Sequence, residues 1–271
     1  MPVIAKITAA KKTKGRYHIY IQEGEKTDYA FSVSEDILVR EHLLKGKELT
    51  KEEIDVLRKQ DETDRAFQNA LNYLSYRMRS VYEVRKYLEE REVEVEEIDN
   101  IIETLTDRGF LHDESFAASY VRTKRDTAQK GPLLMKRELQ EKGIAAAIIE
   151  RAMEEYTAEQ QFDDAVALAE KKQSSYQKES VRKREEKLMQ FLLQKGYPAG
   201  LAKEAVKEAN LENNEENEYE AMKIYGEKAW KKNAQKEPWE QKQRVKQFLY
   251  GKGFPSESIN RFIEEKEGAD D

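Results

Sequence analysis

The chain repeats one short phrase. Leu139-Gln140-Glu141-Lys142-Gly143-Ile144 returns as Leu192-Leu193-Gln194-Lys195-Gly196-Tyr197, and again as Leu249-Tyr250-Gly251-Lys252-Gly253-Phe254. Each copy runs an apolar helical segment into a Lys, a Gly and a large apolar residue. The glycines at 143, 196 and 253 fall 53 and 57 residues apart, and a worn copy, Leu88-Glu89-Glu90-Arg91-Glu92-Val93, precedes them by a similar step. A period of some fifty residues describes small helical units in tandem, not one enzyme-like core. Chains of that kind present long surfaces, which points to a binding protein.

Composition supports this reading. Of 271 residues, 38% are hydrophobic and 38% charged, with mean hydropathy −0.92, too polar for one thick core but suited to small bundles. Gly (12) and Pro (5) are scarce, which favours helix. The net charge of −6 comes from 48 basic and 54 acidic residues, so most charge belongs on solvated helix faces. The absence of Cys removes disulfides, thiolate metal sites and a thiol nucleophile. No apolar run approaches the roughly 18 residues of a spanning helix, and Met1–Lys6 has no secretory pattern. The expectation is a cytoplasmic protein without membrane attachment.

Residues 3–33 differ from the rest. Tyr17, Ile19 and Ile21 alternate with polar neighbours, as do Tyr29, Phe31 and Val33, and Gly15 and Gly24 mark turns. This predicts two or three antiparallel strands, then a helix capped by Ser34 and running through Leu44 to Gly46. Thr50-Lys51-Glu52-Glu53 is a capping box with Leu49 and Ile54 as its staple, opening a helix to about Gln60. Asp61-Glu62-Thr63-Asp64 reads as a break. Three-helix units are then predicted at 65–111, 112–157, 158–210 and 215–265. A second capping box stands at Ser80/Glu83, Asp113 is placed as an N-cap, Asn210–Asn217 as a hinge, and 266–271 as a disordered tail. The fold expected is mainly α: tandem three-helix repeats in an elongated, curved array, preceded by a small N-terminal β-hairpin and helix segment (1–60).

The segment Ala70–Ile144 resembles the RecX family, bacterial regulators of the recombinase RecA. Leu74-Ser75-Tyr76-Arg77-Met78-Arg79-Ser80-Val81-Tyr82-Glu83 resembles the family's opening motif. Leu105 through Ala117, with Gly109-Phe110-Leu111-His112-Asp113 at its heart and continued by Tyr120-Val121, resembles its centre. Gly131-Pro132-Leu133-Leu134-Met135-Lys136-Arg137-Glu138-Leu139 and Lys142-Gly143-Ile144 resemble its close. His112 departs from the pattern, standing where the family has the first of two acids. The resemblance implies a non-enzymatic regulator of homologous recombination and DNA repair. It implies binding to the RecA filament with negative effect on its ATPase and strand exchange, and weak contact with DNA.

Most motif residues have structural work. The Gly residues at 109, 143, 196 and 253 follow helices and are expected at φ > 0. Phe116, Tyr120, Leu139, Phe191 and Phe248 are expected in the core. The sharper candidates for a surface facing RecA or DNA are basic: Arg77 and Arg79, Arg122 and Arg125, Lys136 and Arg137, and Arg182, Lys183, Arg184 and Lys187. Taken singly each is ordinary solvated charge. An enzyme reading has little support: the three His at 18, 42 and 112 are scattered, with no phosphate loop or nucleophile elbow. No cofactor or metal is expected, and the chain is expected to act as a monomer. The competing reading is a nucleic-acid-binding protein, since three-helix units are similar to helix-turn-helix modules.

Overall fold

The computed structural model describes residues 1–11, 13–209 and 215–270 and divides into two compact bodies, Met1–Phe116 and Ala117–Asp271. The first body opens with an antiparallel sheet in the order β1 (Val3–Ala9), β2 (Arg16–Glu23), β3 (Lys26–Ser34). Its inner face buries Ile4, Ile19, Phe31 and Val33. So few strands need a cover, which comes from Ile37 of α1 (Glu35–Arg40), Leu43, Leu49, and Ile54 and Leu57 of α2 (Lys51–Ser75).

Three expectations fail here for identifiable reasons. Tyr29 does not share a face with Phe31 and Val33. The register steps from Ile19↔Phe31 to Tyr20↔Tyr29, so Ala30 is bulged, Tyr29 turns outward, and Arg58 donates to the Ala30 carbonyl at 2.8 Å. The helix capped by Ser34 stops at Arg40, not Leu44. His42 takes φ 49° and the Leu43 amide returns to the Leu38 carbonyl at 3.0 Å, which tucks Leu43 into the core. The break at 61–64 does not exist, because α2 runs unbroken from Lys51 to Ser75. Its polar middle is an anchor. Asp61, 4% exposed, accepts both Arg16 Nη atoms at 2.6 and 2.7 Å and the Ser34 amide at 3.1 Å. A buried carboxylate held by a bidentate guanidinium and a main-chain donor is stable in a helix interior.

The first three-helix unit comprises the second half of α2, α3 (Val81–Glu89) and α4 (Val95–Asp107), around Ala70, Val84, Leu88, Ile98 and Leu105. Then follow α5 (Asp113–Ala128), α6 (Pro132–Glu141) and α7 (Ala146–Glu154). The third unit is α8 (Ala158–Gln173), α9 (Val181–Lys195) and α10 (Ala199–Glu208), and the fourth is α11 (Glu215–Lys232), α12 (Pro238–Gly251) and α13 (Ser256–Asp270). Of the tail expected at 266–271, residues 266–270 belong to α13, and Asp271 lies outside the described residues. Most of the expected hinge at Asn210–Asn217 lies outside the described residues. Phe248 is 42% exposed, against its expected place in the core.

The recurring stop has one geometry. Gly143, Gly196 and Gly253 take φ of 74°, 92° and 86°, as does Gly109 at 74°. After each, the next amide reaches back five residues: Ile144 to Leu139, Tyr197 to Leu192, Phe254 to Leu249. This is the left-handed cap that favours glycine. The worn copy keeps it without glycine, with Glu92 at φ 59° and the Val93 amide on the Leu88 carbonyl.

In the second body the same turn also joins units. The Gly131 amide, at the N-terminus of α6, donates to the Lys195 carbonyl at 2.7 Å, and the Leu133 amide to the Gly196 carbonyl at 3.0 Å. One unit later Ser180, the N-cap of α9, donates its hydroxyl to the Lys252 carbonyl at 2.8 Å. Each second helix thus offers its N-terminus to the C-terminal turn of the second helix that follows. Orphan amides meet orphan carbonyls, positive dipole end against negative. Gly131 and Gly196 permit the approach: a Cβ on Gly196 would sit 2.6 Å from the Leu134 nitrogen, and one on Gly131 would sit 2.5 Å from the Tyr197 nitrogen.

These turns give separable mutational costs. Gly196→Ala is expected to lower stability by about 3 kcal/mol, combining left-handed strain with overpacking. Gly109→Ala, whose added methyl meets nothing within 4 Å, is expected to cost only about 1 kcal/mol. Glu92→Gly relieves the same strain and is expected to gain up to about 1 kcal/mol. Urea midpoints decide the order, and equal losses for the two Ala variants would disprove the backbone join.

Candidate interaction surface

The basic candidates are not an open stripe. In the first body Arg77 bonds Glu83 at 2.9 Å and the Met78 carbonyl at 2.8 Å. Glu83 also closes the capping box on the Ser80 amide, so Arg77 braces the link between α2 and α3. Arg79 lies 3.9 Å above the Tyr73 ring, Tyr73 stacks on Tyr87 at 4.0 Å and 9°, and Arg91 lies 3.6 Å beyond Tyr87. This four-layer stack covers both outer ring faces, which clamps α2 to α3 and leaves no face for a stacked base.

In the second body each remaining candidate except Arg184 has a carboxylate. Arg122 is 3.6 Å from Glu155, Arg125 is 2.8 Å from Asp126, Lys136 is 2.7 Å from Glu150, and Arg137 is 3.7 Å from Glu141. Arg182 and Lys183 share Glu186 at 3.4 and 2.6 Å, and Lys187 bonds Glu179. Exposed pairs of this kind are worth about 0–1 kcal/mol each, but they cancel charge locally. Arg184 corrects the sequence reading outright. It is 7% exposed, because it falls on the α9 face shared with Leu188 and Leu192 at helical spacing. Its guanidinium donates to the Glu179 carbonyl at 3.4 Å instead of facing a partner.

Polar groups inside the bodies fix unit against unit. Asp113 is not the α5 cap. The His112 ring takes that part, with Nδ1 accepting the Ser115 amide at 3.2 Å, while the Asp113 carboxylate accepts the Val81 amide of α3 at 2.9 Å. Burial raises the Asp113 carboxyl, with the Val81 bond opposing. The same device recurs where Glu218 of α11 accepts the Val181 amide of α9 at 2.9 Å. Tyr156, buried, donates to Asp164 at 2.9 Å and lies 3.3 Å from the Tyr197 hydroxyl; burial and these partners raise the Tyr156 hydroxyl far above its ordinary range. Glu138 accepts the Tyr120 hydroxyl at 2.6 Å and the Lys130 ammonium. Burial alone would raise its carboxyl, but these two bonds outweigh it and hold the group low.

Two open grooves lie in the first body. One, about 1060 Å³, runs between α2 and the α3–α4 link and is lined by both charge signs, among them Arg58, Glu62, Arg91 and Glu97. The other, about 1120 Å³, lies where the sheet meets α2 and α4. No groove residue was among the sequence candidates. A signal existed for the second: the first 209 residues contain three Asn, at 69, 72 and 100, and all line it. No described helix is long and apolar enough to cross a membrane, and no described group of three or more His, Asp or Glu is placed to hold a metal ion.

Serial three-helix units with a mixed-charge surface define a helical-repeat protein. Comparison with known proteins agrees. The model for the RecX N-terminal domain matches residues 2–50, that for the first three-helix domain 66–105, and that for the second 113–153. The model for the third matches twice, at 158–206 and 215–263. A regulatory protein RecX of Halalkalibacterium halodurans is 40% identical over 97% of this chain and 99% of its own length. Another, of Bacillus cytotoxicus, is 36% identical over 98% of each. A crystal structure of regulatory protein RecX superposes with TM-score 0.61 at 36% identity, covering 77% of this chain and all of the other. A crystal structure of RecX from Lactobacillus salivarius superposes at 0.53 and 36% identity, over 56% of this chain and 99% of the other. The chain belongs to the RecX family of regulatory proteins.

The Glu138 geometry predicts a pH effect. A carboxyl held below its unfolded value adds stability above the ordinary pKa of about 4.3 and loses it as pH falls through the folded value. Glu138→Gln is therefore expected to destabilise the protein near neutrality and to lessen the stability lost between about pH 5 and pH 3. Urea titrations across that range measure it; an equal loss at every pH would refute the assignment.

Proposed function

We propose that this chain is a non-enzymatic regulator of the RecA nucleoprotein filament in the cytoplasm, acting as a monomer to lower ATP hydrolysis and strand exchange. The observation that carries the reading is family membership along nearly the whole chain, with relatives named as regulatory proteins. The physical case is supportive. A filament repeats the same surface, and a chain of like units bears several copies of a similar face, so contacts add by avidity. The exposed, weakly paired cations Arg122, Arg137 and Arg182 are the best of the basic candidates to face the filament.

The competing reading, direct action on DNA, is disfavoured by the carboxylate beside nearly every candidate cation, since phosphate contacts need net positive surface. At stoichiometric amounts the protein is expected to suppress the single-strand-dependent ATPase of RecA. Combining Arg122→Glu, Arg137→Glu and Arg182→Glu is expected to raise the half-inhibitory concentration about tenfold with unchanged circular dichroism. An unchanged ATPase with no binding to filaments would end the proposal. Tight DNA binding without RecA that collapses with salt would favour the second reading.

A further inference from the structure

The second body builds one link twice. Between α8 and α9 the Glu179 amide donates to the Tyr176 carbonyl at 2.9 Å, and between α11 and α12 the Lys236 amide donates to the Asn233 carbonyl at 3.0 Å. After each link, the fourth residue of the second helix is polar and buried: Arg184 in α9, 7% exposed, and Gln241 in α12, 9% exposed. Gln241 is well satisfied, since its side-chain amide donates to the Trp230 carbonyl of α11 at 3.0 Å.

Arg184 is poorly satisfied. It donates to the Glu179 carbonyl at 3.4 Å, outside the usual range of roughly 2.7–3.2 Å. Its Nε is buried and meets no described acceptor, and no described carboxylate pairs with the guanidinium. The Glu179 carboxylate, close in the chain, bonds Lys187 instead. A buried cation without a counter-charge is costly, because it gives up its hydration for little in return. A neutral amide fills the same position in the fourth unit, so the place itself does not call for a charge.

We infer that the α8–α9 link is a latch, which opens to return the Arg184 guanidinium to water. The link is the piece of chain able to move: it holds one 3₁₀ turn, Ser174–Tyr176, and Ser174, Ser175, Gln177 and Lys178 are exposed. Few contacts keep it shut. Tyr176 packs on the rim of the unit's core, with the ammonium groups of Lys172 and Lys187 each 5.4 Å from its ring centre, and the Lys187–Glu179 pair is partly exposed and so worth little. Hydration of a charge on one side and a half-buried ring on the other bring the closed and open forms near in free energy, which is the condition for local opening. Opening adds Arg184 to the exposed cations Arg182 and Lys183, so the basic run at 182–184 is complete in the open form alone.

Hydrogen exchange of the full chain, followed amide by amide by NMR, tests the latch. After correction for intrinsic rates, the Glu179 amide is expected to exchange at least about tenfold faster than its counterpart, the Lys236 amide. Arg184→Gln, which copies the fourth unit, is expected to slow Glu179 to within about threefold of Lys236. Arg184→Lys keeps the charge and is expected to leave Glu179 fast, and Lys236 stays unchanged in both variants. Equal protection of the two amides in the parent would overturn the inference, and that comparison needs no variant to fold. So would a Glu179 amide that Arg184→Gln speeds or leaves alone, or that Arg184→Lys slows as much as Arg184→Gln does.

Discussion

The second body depends on a bond between main chains. The carbonyls that close α9 accept the amides that open α6, at Lys195 to Gly131 and Gly196 to Leu133. Helix ends carry unsatisfied groups that must find partners. Here two helix ends satisfy one another, with their dipoles aligned. The contact is possible because the residues that meet, Gly131 and Gly196, have no Cβ. The Tyr156–Asp164–Tyr197 cluster then secures the same pair of units with buried polar bonds. Between the third and fourth units Ser180 replaces the glycine, and its hydroxyl does what the Gly131 amide does.

The period was legible because left-handed caps demand a residue type, and a residue type shows in sequence. Thr50/Glu53 and Ser80/Glu83 were legible for the same reason: a capping box is a local bond with fixed spacing. What could not be read was set at long range. Asp61 looked like part of a break because its partners, Arg16 and Ser34, lie 45 and 27 residues away. Tyr29 followed the strand alternation until a single bulge inverted it. Arg184 read as one more cation in a basic run, although its spacing to Leu188 and Leu192 already placed it on the apolar face.

Charge tells the same story about the surface. The sequence shows where cations are, not whether they are already matched. Lys136 with Glu150 and Arg122 with Glu155 are pairs that only the fold assembles. The basic runs that attract attention in the sequence are thereby the neutralised ones. A search for binding residues in a highly charged helical protein does better to count unsatisfied groups than to count lysines.

A join made by main chain has a bearing on how such proteins grow. Side-chain interfaces must be matched pair by pair, so a copied segment seldom fits its own parent. A helix end that needs only a glycine-stopped turn for its neighbour is different. A segment that ends in such a turn and begins with a small N-cap meets the main-chain requirement of the join wherever it is inserted, and leaves only side-chain contacts to be adjusted. The match of one domain model to both 158–206 and 215–263 is what such a duplication leaves behind. Length in this lineage is then a quantity that selection can adjust in whole increments, with the side chains free to diverge afterwards.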